Sequence, residues 1–296
     1  MAMRTQKKVK RPPLLMTLAG IDPSAGAGIY RDLHVFHRGG GYGVAVATAM
    51  TVQNTLGVKA VYPIPVKVIR EQWQHLFADR LPDGIKIGML ANKDIVREVM
   101  TCLQVYQEAC QQQGKKGYVI LDPVLISSSG HSLLEPRAWP LLIQKLFPLC
   151  SLITPNLPEA HALLGRDYQP EEDCPPEKMV KIILDLQQLG IKNVLLKGGH
   201  HPQQQVVEDW WGPFTEKPHF PLVILRSPRI HQRQGKQWRG TGCFLSSSIL
   251  VHRCLRGDTL ESLVAAKADL LQVMEELTKK KRPSWGQGGW NLDDFS

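Results

Sequence analysis

Residues 14–28 read Leu-Leu-Met-Thr-Leu-Ala-Gly-Ile-Asp-Pro-Ser-Ala-Gly-Ala-Gly, an apolar run that breaks into a loop of glycine and other small side chains. The run 14–19 predicts a short buried strand. The loop is no dinucleotide fingerprint, because GxGxxG is absent, and no Walker loop, because no Gly-Lys-Ser/Thr follows. Its close Gly26 and Gly28 instead bring a helix start near a ligand, with Asp22 and Asp32 flanking it.

The same grammar repeats along the chain. Residues 44–52, 85–88, 118–121, 152–154 and 194–196 are short, β-rich and often followed by Gly, Pro or Asp. Between them, residues 66–78, 95–111, 139–149 and 179–189 carry apolar side chains at helical spacing. This alternation predicts an α/β fold, a central and mostly parallel sheet flanked by helices. After Lys197 the pattern changes to edge strands at 206–211 and 222–225, then helices from 240 to 255 and from 260 to 277. A basic arm (1–13), a single domain (14–278) and a charged, glycine-rich tail (279–296) are expected, with Trp285 and Trp290 docking the tail.

With 43% hydrophobic and 21% charged residues over 296 positions, the composition is that of an ordinary globular chain. No apolar run approaches the roughly 20 residues needed to span a bilayer. A cytoplasmic protein without membrane association is expected. Six cysteines (102, 110, 150, 174, 243 and 254) form no CxxC pair, and His200 and His201 have no metal-binding context, so reduced thiols and no zinc site are expected. The net charge of +9 suits anionic partners. No helix-turn-helix or aromatic-basic RNA motif is present, so no specific nucleic acid is expected.

Residues 240–243, Gly-Thr-Gly-Cys, open the helix that follows with free backbone N–H groups and the positive end of its dipole, a place suited to phosphate. The same field is expected to push Cys243 toward thiolate. Other polar motifs fall at strand ends: Asp122-Pro-Val, Thr154-Pro-Asn156 and Lys197-Gly-Gly-His200. In open α/β sheets that is where ligands gather.

Taken in order, AGIDPSAGAGIYRDL, TAMTVQNTLGV, IKIGMLAN, LDPV, SSSGHSLL, ITPNLPEA, LLKGGHH, RGTGCFLSSSI and AAKADL resemble the hydroxymethylpyrimidine and phosphomethylpyrimidine kinases of thiamine biosynthesis, over about residues 14–277. The resemblance implies a three-layer ribokinase-like fold, ATP with Mg²⁺ as phosphoryl donor, and a pyrimidine alcohol and its phosphate as acceptors. It assigns Gly20, Ala27, Asp32, Gln53 and Met89 to the acceptor pocket, with the Gln53 amide reading a ring edge. Asp122 and Glu159 match metal positions, Asn156, Lys197 and Thr241 nucleotide positions, and Gly240, Thr241, Gly242 and Cys243 the catalytic turn. Residues 126–134, with Ser127, Ser128 and Ser129, resemble a lid over the pocket. Relatives often form dimers, which leaves a homodimer open.

The implied reaction is ATP-dependent phosphorylation of 4-amino-5-hydroxymethyl-2-methylpyrimidine and then of its monophosphate. Two alternatives stay open: a pyridoxal or pyridoxine kinase of the same lineage, and a diverged homologue that binds or regulates. This chain departs from the family pattern at Ala25, at Arg31 and His34, and at Trp238-Arg239, where relatives commonly carry Thr-His. Many ribokinase relatives also carry an aspartate base where Cys243 stands.

Overall fold

A computed structural model describes residues 11–127, 130–169, 175–199, 205–214, 222–231, 238–280 and 290–291. Nine strands form one sheet: β1 (Leu14–Ile21), β2 (Tyr42–Asn54), β3 (Gly57–Pro63), β4 (Gly84–Ile87), β5 (Tyr118–Leu121), β6 (Leu152–Ile153), β7 (Val194–Leu196), β8 (Val206–Gly212) and β9 (Val223–Pro228). Their order is β3-β2-β1-β4-β5-β6-β7-β8-β9. The strands from β2 to β7 in this order are parallel, β3 at one edge and β8 near the other run against them, and β9 pairs antiparallel with β8.

Helices cover both faces: α1 (Gly28–Arg38), α2 (Val66–Asp79), α3 (Lys93–Gln112), α4 (Trp139–Leu141), α5 (Leu157–Leu163), α6 (Pro176–Gln188), α7 (Thr241–Arg256) and α8 (Thr259–Lys280). Strand residues sort between the layers by their period of two. Met16, Leu18, Ile85, Ile87, Val119 and Leu121 pack with Val99 of α3 and Ile183 of α6. Leu15, Ile120, Leu152 and Leu195 pack on the other face with Phe36 of α1, Ile249 of α7 and Leu263 of α8. Both faces being covered explains why the central strands read as nearly unbroken apolar runs.

The chain moves from β1 outward to β2 and β3, then returns to β4 on the opposite side of β1. The sheet therefore reverses direction at β1, and the loops after β1, β4, β5, β6 and β7 all leave from one end of it. That is why motifs far apart in sequence meet.

Several boundaries differ from the sequence expectations. The strand expected at 44–52 is longer and turns into β3, an edge strand whose half-exposed side chains carry no strong apolar signal. The short α5 was likewise not anticipated. The helix expected at 139–149 is a broken stretch: α4 passes into a π turn at Leu142–Leu146 and a 3₁₀ turn at Phe147–Leu149. Pro140 and Pro148 remove N–H donors from that stretch, so no regular α ladder forms. Ala25 adopts a left-handed φ of 55°, a strain of about 1 kcal/mol held by the turn bond from Ala25 N–H to Asp22 O.

Two further strands, β10 (Trp238–Arg239) and β11 (Trp290–Asn291), pair in parallel, so Trp290 places the tail's main chain beside the approach to the Gly-Thr-Gly-Cys turn. Residues 1–10 of the expected arm, Trp285 and most of the tail, Ser128 and Ser129, and His200 lie outside the described residues. Cys102, Cys110, Cys150, Cys243 and Cys254 are free thiols. No helix among the described residues is long and apolar enough to cross a membrane.

Candidate active site

Helix α7 begins at Thr241 after Gly240, whose φ of 73° and ψ of 10° place it in the left-handed region. No side chain caps this end, so the N–H groups of residues 241–243 face outward as first-turn donors. A Cβ on Gly240 would stand 2.0 Å from Gly26 O and 3.2 Å from Arg31 Nε. The turn thus rests directly on the first glycine loop, over the fully buried Arg31. Gly28, φ 60°, is as tightly placed, its missing Cβ only 2.2 Å from Gly20 O.

The next glycine of the turn joins it to the charged residues. A Cβ on Gly242 would lie 3.1 Å from Lys197 Nζ and 3.3 Å from Asp122 Oδ2. Lys197 donates to Asp122 Oδ1 at 2.7 Å, and Thr154 Oγ1 donates to the same oxygen at 3.1 Å. Asn156 and Glu159 form a reciprocal capping box at the start of α5, with both bonds at 2.8 Å. Asn156 is also bridged to Lys197, whose N–H donates to Pro155 O at 2.8 Å. Asp122, Asn156, Glu159, Lys197 and the Gly240–Cys243 turn are therefore one constellation.

Its electrostatics are those of two carboxylates sharing one ammonium. Burial pushes Glu159 up to about 7; Lys197 pulls it down and Asp122 pushes it up. Burial works against the charge of Lys197, yet Asp122 and Glu159 outweigh it and hold the lysine above its ordinary value. Asp122, Glu159 and Lys197 together carry a surplus negative charge when both carboxylates are ionised.

Cys243 corrects an expectation. Burial raises its thiol pKa; Lys86 and a hydrogen bond from Gly28 N–H pull it down, while Asp32 and Asp122 push it up. The local field of the helix start does not make it a thiolate, because desolvation of the anion is the larger effect.

The residues expected at the acceptor pocket lie toward β2. Gly20 backs onto Met89, whose Sδ would be 2.9 Å from a Cβ at that glycine. Met89 packs with Ala49 and with Leu133 of the segment expected as a lid, and Thr48 Oγ1 donates to Met89 O at 2.6 Å. Within that segment Ser127 N–H donates to His131 O at 2.8 Å, closing a tight loop. Ala27 takes the extended position before α1. Gln53 is half-buried, donating from Nε2 to Asp22 Oδ2 at 3.1 Å and accepting from Thr51 Oγ1 at 3.2 Å. A cavity of about 460 Å³ opens between the β2–β3 turn and this loop, lined by Asn54, Lys59 and His131 among others.

Asp32 is a second correction. It is fully buried, and its carboxylate accepts from Lys86 at 2.8 and 2.9 Å, Thr17 Oγ1 at 2.7 Å and Ser247 Oγ at 2.9 Å. With those bonds filled from inside, it anchors the floor beneath the loop and has no exposed carboxylate oxygen to offer a ligand. Lys86 was missed, although a lysine between Ile85 and Ile87 in a central strand signals a buried partner. A second unanticipated pair, Lys267 with Asp209 at 2.6 Å, holds Gly198 N–H through Asp209 at 3.1 Å and so steadies the turn that carries Lys197.

A family model described as Phosphomethylpyrimidine kinase matches residues 22–287. The hydroxymethylpyrimidine/phosphomethylpyrimidine kinase of Aquifex aeolicus (strain VF5) is 35% identical over 282 residues, covering 95% of this chain and all of the relative. The crystal structure of phosphomethylpyrimidine kinase from Clostridium difficile 630 is 33% identical, with a TM-score of 0.69 over 88% of this chain and 99% of that one. A pyridoxal kinase from Staphylococcus aureus, solved with AMP-PCP and pyridoxal, has a TM-score of 0.73 over 94% of this chain and 91% of its own. At 23% identity that likeness shows the fold alone.

Proposed function

This chain belongs to the phosphomethylpyrimidine kinase family, a phosphotransferase family, and from that premise we propose that it transfers the γ-phosphoryl group of ATP to 4-amino-5-hydroxymethyl-2-methylpyrimidine and then to the monophosphate so formed. The observation that carries this reading is the close approach of Lys197 and Asp122 to Gly242, within reach of a Cβ there, at the uncapped start of α7. Backbone donors, an ammonium and a carboxylate converge there on one spot, the equipment phosphoryl transfer needs for positioning and charge neutralisation.

In this reading the N–H groups of residues 241–243 and the Thr241 hydroxyl receive the transferring phosphoryl oxygens, and Lys197 neutralises the nucleotide's phosphates. Asp122 and Glu159 suit Mg²⁺, because their surplus negative charge matches a cation that takes one or two carboxylates and fills its shell with water and phosphate oxygens. No cluster of three or more metal-ligating side chains occurs among the described residues, which favours such a phosphate-borne ion over a protein cage. When bound, the ion supplies charge neutralisation between the phosphates. Met89, Gly20 and Ala27 wall the ring, and Gln53 reads its edge by exchanging its bond to Asp22.

In the first step the hydroxymethyl oxygen bonds to the γ-phosphorus, the bond to the β,γ-bridging oxygen breaks, its electron pair leaves with ADP, and one proton is released. Only the thiolate form of Cys243, a minor population because burial raises the thiol's pKa, can accept that proton, and in this reading it does so as the phosphorus–oxygen bond forms. Cys243→Ala is therefore expected to lower turnover of the alcohol roughly 100-fold. The phosphomonoester dianion brings no proton, so its phosphorylation is expected to fall less than about 10-fold. Near-normal alcohol turnover in a folded variant removes Cys243 from this role.

The test of the reading as a whole is coupled ADP release with the aminopyrimidine alcohol, its monophosphate and pyridoxal side by side. Turnover of the first two is the expected result. Turnover of pyridoxal alone would overturn it, and binding without ADP release would make the chain a diverged binding homologue.

A further inference from the structure

Arg239 stands one residue before the phosphate turn. Its side chain reaches across the site to donate from Nη1 to Asn54 O, at the end of β2 and next to Gln53. It thereby joins the phosphate half of the site to the acceptor half. The main chain at Trp238–Arg239 is held by pairing with Trp290–Asn291, and Trp238 Nε1 donates to Ile230 O at 2.8 Å. Trp238 also packs beside Val35, Phe244 and Val273, from α1, α7 and α8. The guanidinium is thus carried on an anchored base.

Among the described residues no carboxylate lies within ion-pair distance of Arg239, and its hydrogen-bond acceptor is a neutral carbonyl. Asp22 acts on it only at longer range, since that carboxylate is taken up by Ser24 and Gln53. Burial therefore acts against a cation that an incoming anion would relieve.

The two phosphorylation steps differ in charge. The alcohol is neutral, whereas the monophosphate must bring a dianion up to the γ-phosphorus of a polyanion. One of its non-bridging oxygens bonds to that phosphorus, the bond to the β,γ-bridging oxygen breaks with its electron pair going to ADP, and no proton is exchanged. A cation beside the acceptor phosphate lowers the repulsion, and a guanidinium offers a planar fork that fits phosphate oxygens in pairs.

We propose that Arg239 is the residue that reads the phosphate of the phosphomonoester acceptor, releasing Asn54 O to bind it and so admitting the second phosphorylation. This rests on the kinase reading above and assigns one of its two acceptors to a residue of this chain.

The test compares Arg239→Gln and Arg239→Lys with the unaltered protein, using the alcohol and the monophosphate as separate acceptors. Calorimetric binding of each acceptor without nucleotide gives a readout independent of turnover. For Arg239→Gln, kcat/KM and affinity for the monophosphate are expected to fall roughly 10- to 100-fold, the range of a charge-assisted hydrogen bond. The loss for the alcohol is expected to be at least about tenfold smaller, and Arg239→Lys, which keeps the charge, to recover part of the difference. Equal losses for both acceptors, or an unchanged affinity for the monophosphate, overturn the proposal. Arg239-dependent binding of the monophosphate in a protein that releases no ADP would refute the kinase reading while supporting this assignment.

Discussion

Gly240→Ala is expected to lower turnover by roughly 10²- to 10³-fold, the loss that follows when preorganised backbone donors are displaced from a transition-state oxyanion. A methyl group at this position would stand 2.0 Å from Gly26 O, and φ at 73° is a conformation that alanine resists. The turn must move to relieve the contact, and the N–H groups of residues 241–243 move with it. Glycine loop and helix start would separate by more than catalysis tolerates, because the same turn sets the approach of Lys197 and Asp122 to Gly242. Gly257→Ala is the matched control. Gly257 has a φ of 83° at the far end of α7, and a Cβ there meets nothing within 4 Å. It should lose about 1 kcal/mol of stability from the left-handed backbone with activity intact. Thermal unfolding and ADP-release kinetics on both variants separate strain from displacement, and near-normal turnover of folded Gly240→Ala would remove the turn from the chemistry.

Lys86→Met is expected to destabilise the fold by about 3–5 kcal/mol, measured as a fall in the urea midpoint at unchanged slope. Lys86 and Asp32 are both completely buried, and Lys86 is the partner that neutralises the aspartate. Thr17 and Ser247 can hydrogen-bond the carboxylate but cannot cancel its charge. Burial disfavours the lysine's charge as well, yet Asp32 outweighs it and raises the ammonium's pKa. The pair is therefore self-consistent only when whole. Lys86→Met/Asp32→Leu should recover part of the loss, since the uncompensated charge is gone while two hydroxyls lose their acceptor. Equal stabilities for Lys86→Met and the unaltered protein would show that Asp32 takes up a proton at little cost. Because the pair joins β1, β4, α1 and α7, the loss should be global.

Much of the site was legible because short apolar runs ending in Gly, Pro or Asp announce parallel strands and the end at which ligands collect. Asp122, Asn156, Glu159 and Lys197 meet as their positions at strand ends implied, although Asp122 and Lys197 are 75 residues apart in sequence. Two site residues did not behave as expected, for one physical reason. Asp32 and Cys243 were judged by local chemistry, a carboxylate near a loop and a thiol at a helix start, whereas their behaviour is set by burial. Asp32 turns inward because Lys86, 54 residues away, lies on the same face of the sheet. The Cys243 thiol, although only half-buried as a residue, is raised because packing around the helix start desolvates its anion.

What the sequence determined alone was most of the alternation of strands and crossovers, the family, and the set of motifs at one end of the sheet, since periodicity and turn chemistry are properties of neighbouring residues. Only the tertiary structure decided which charges are buried, which are paired, and that Arg239 crosses to Asn54, a contact between residues 185 positions apart. Desolvation and ion pairing depend on what packs from elsewhere in the chain, and no local window of sequence contains that information.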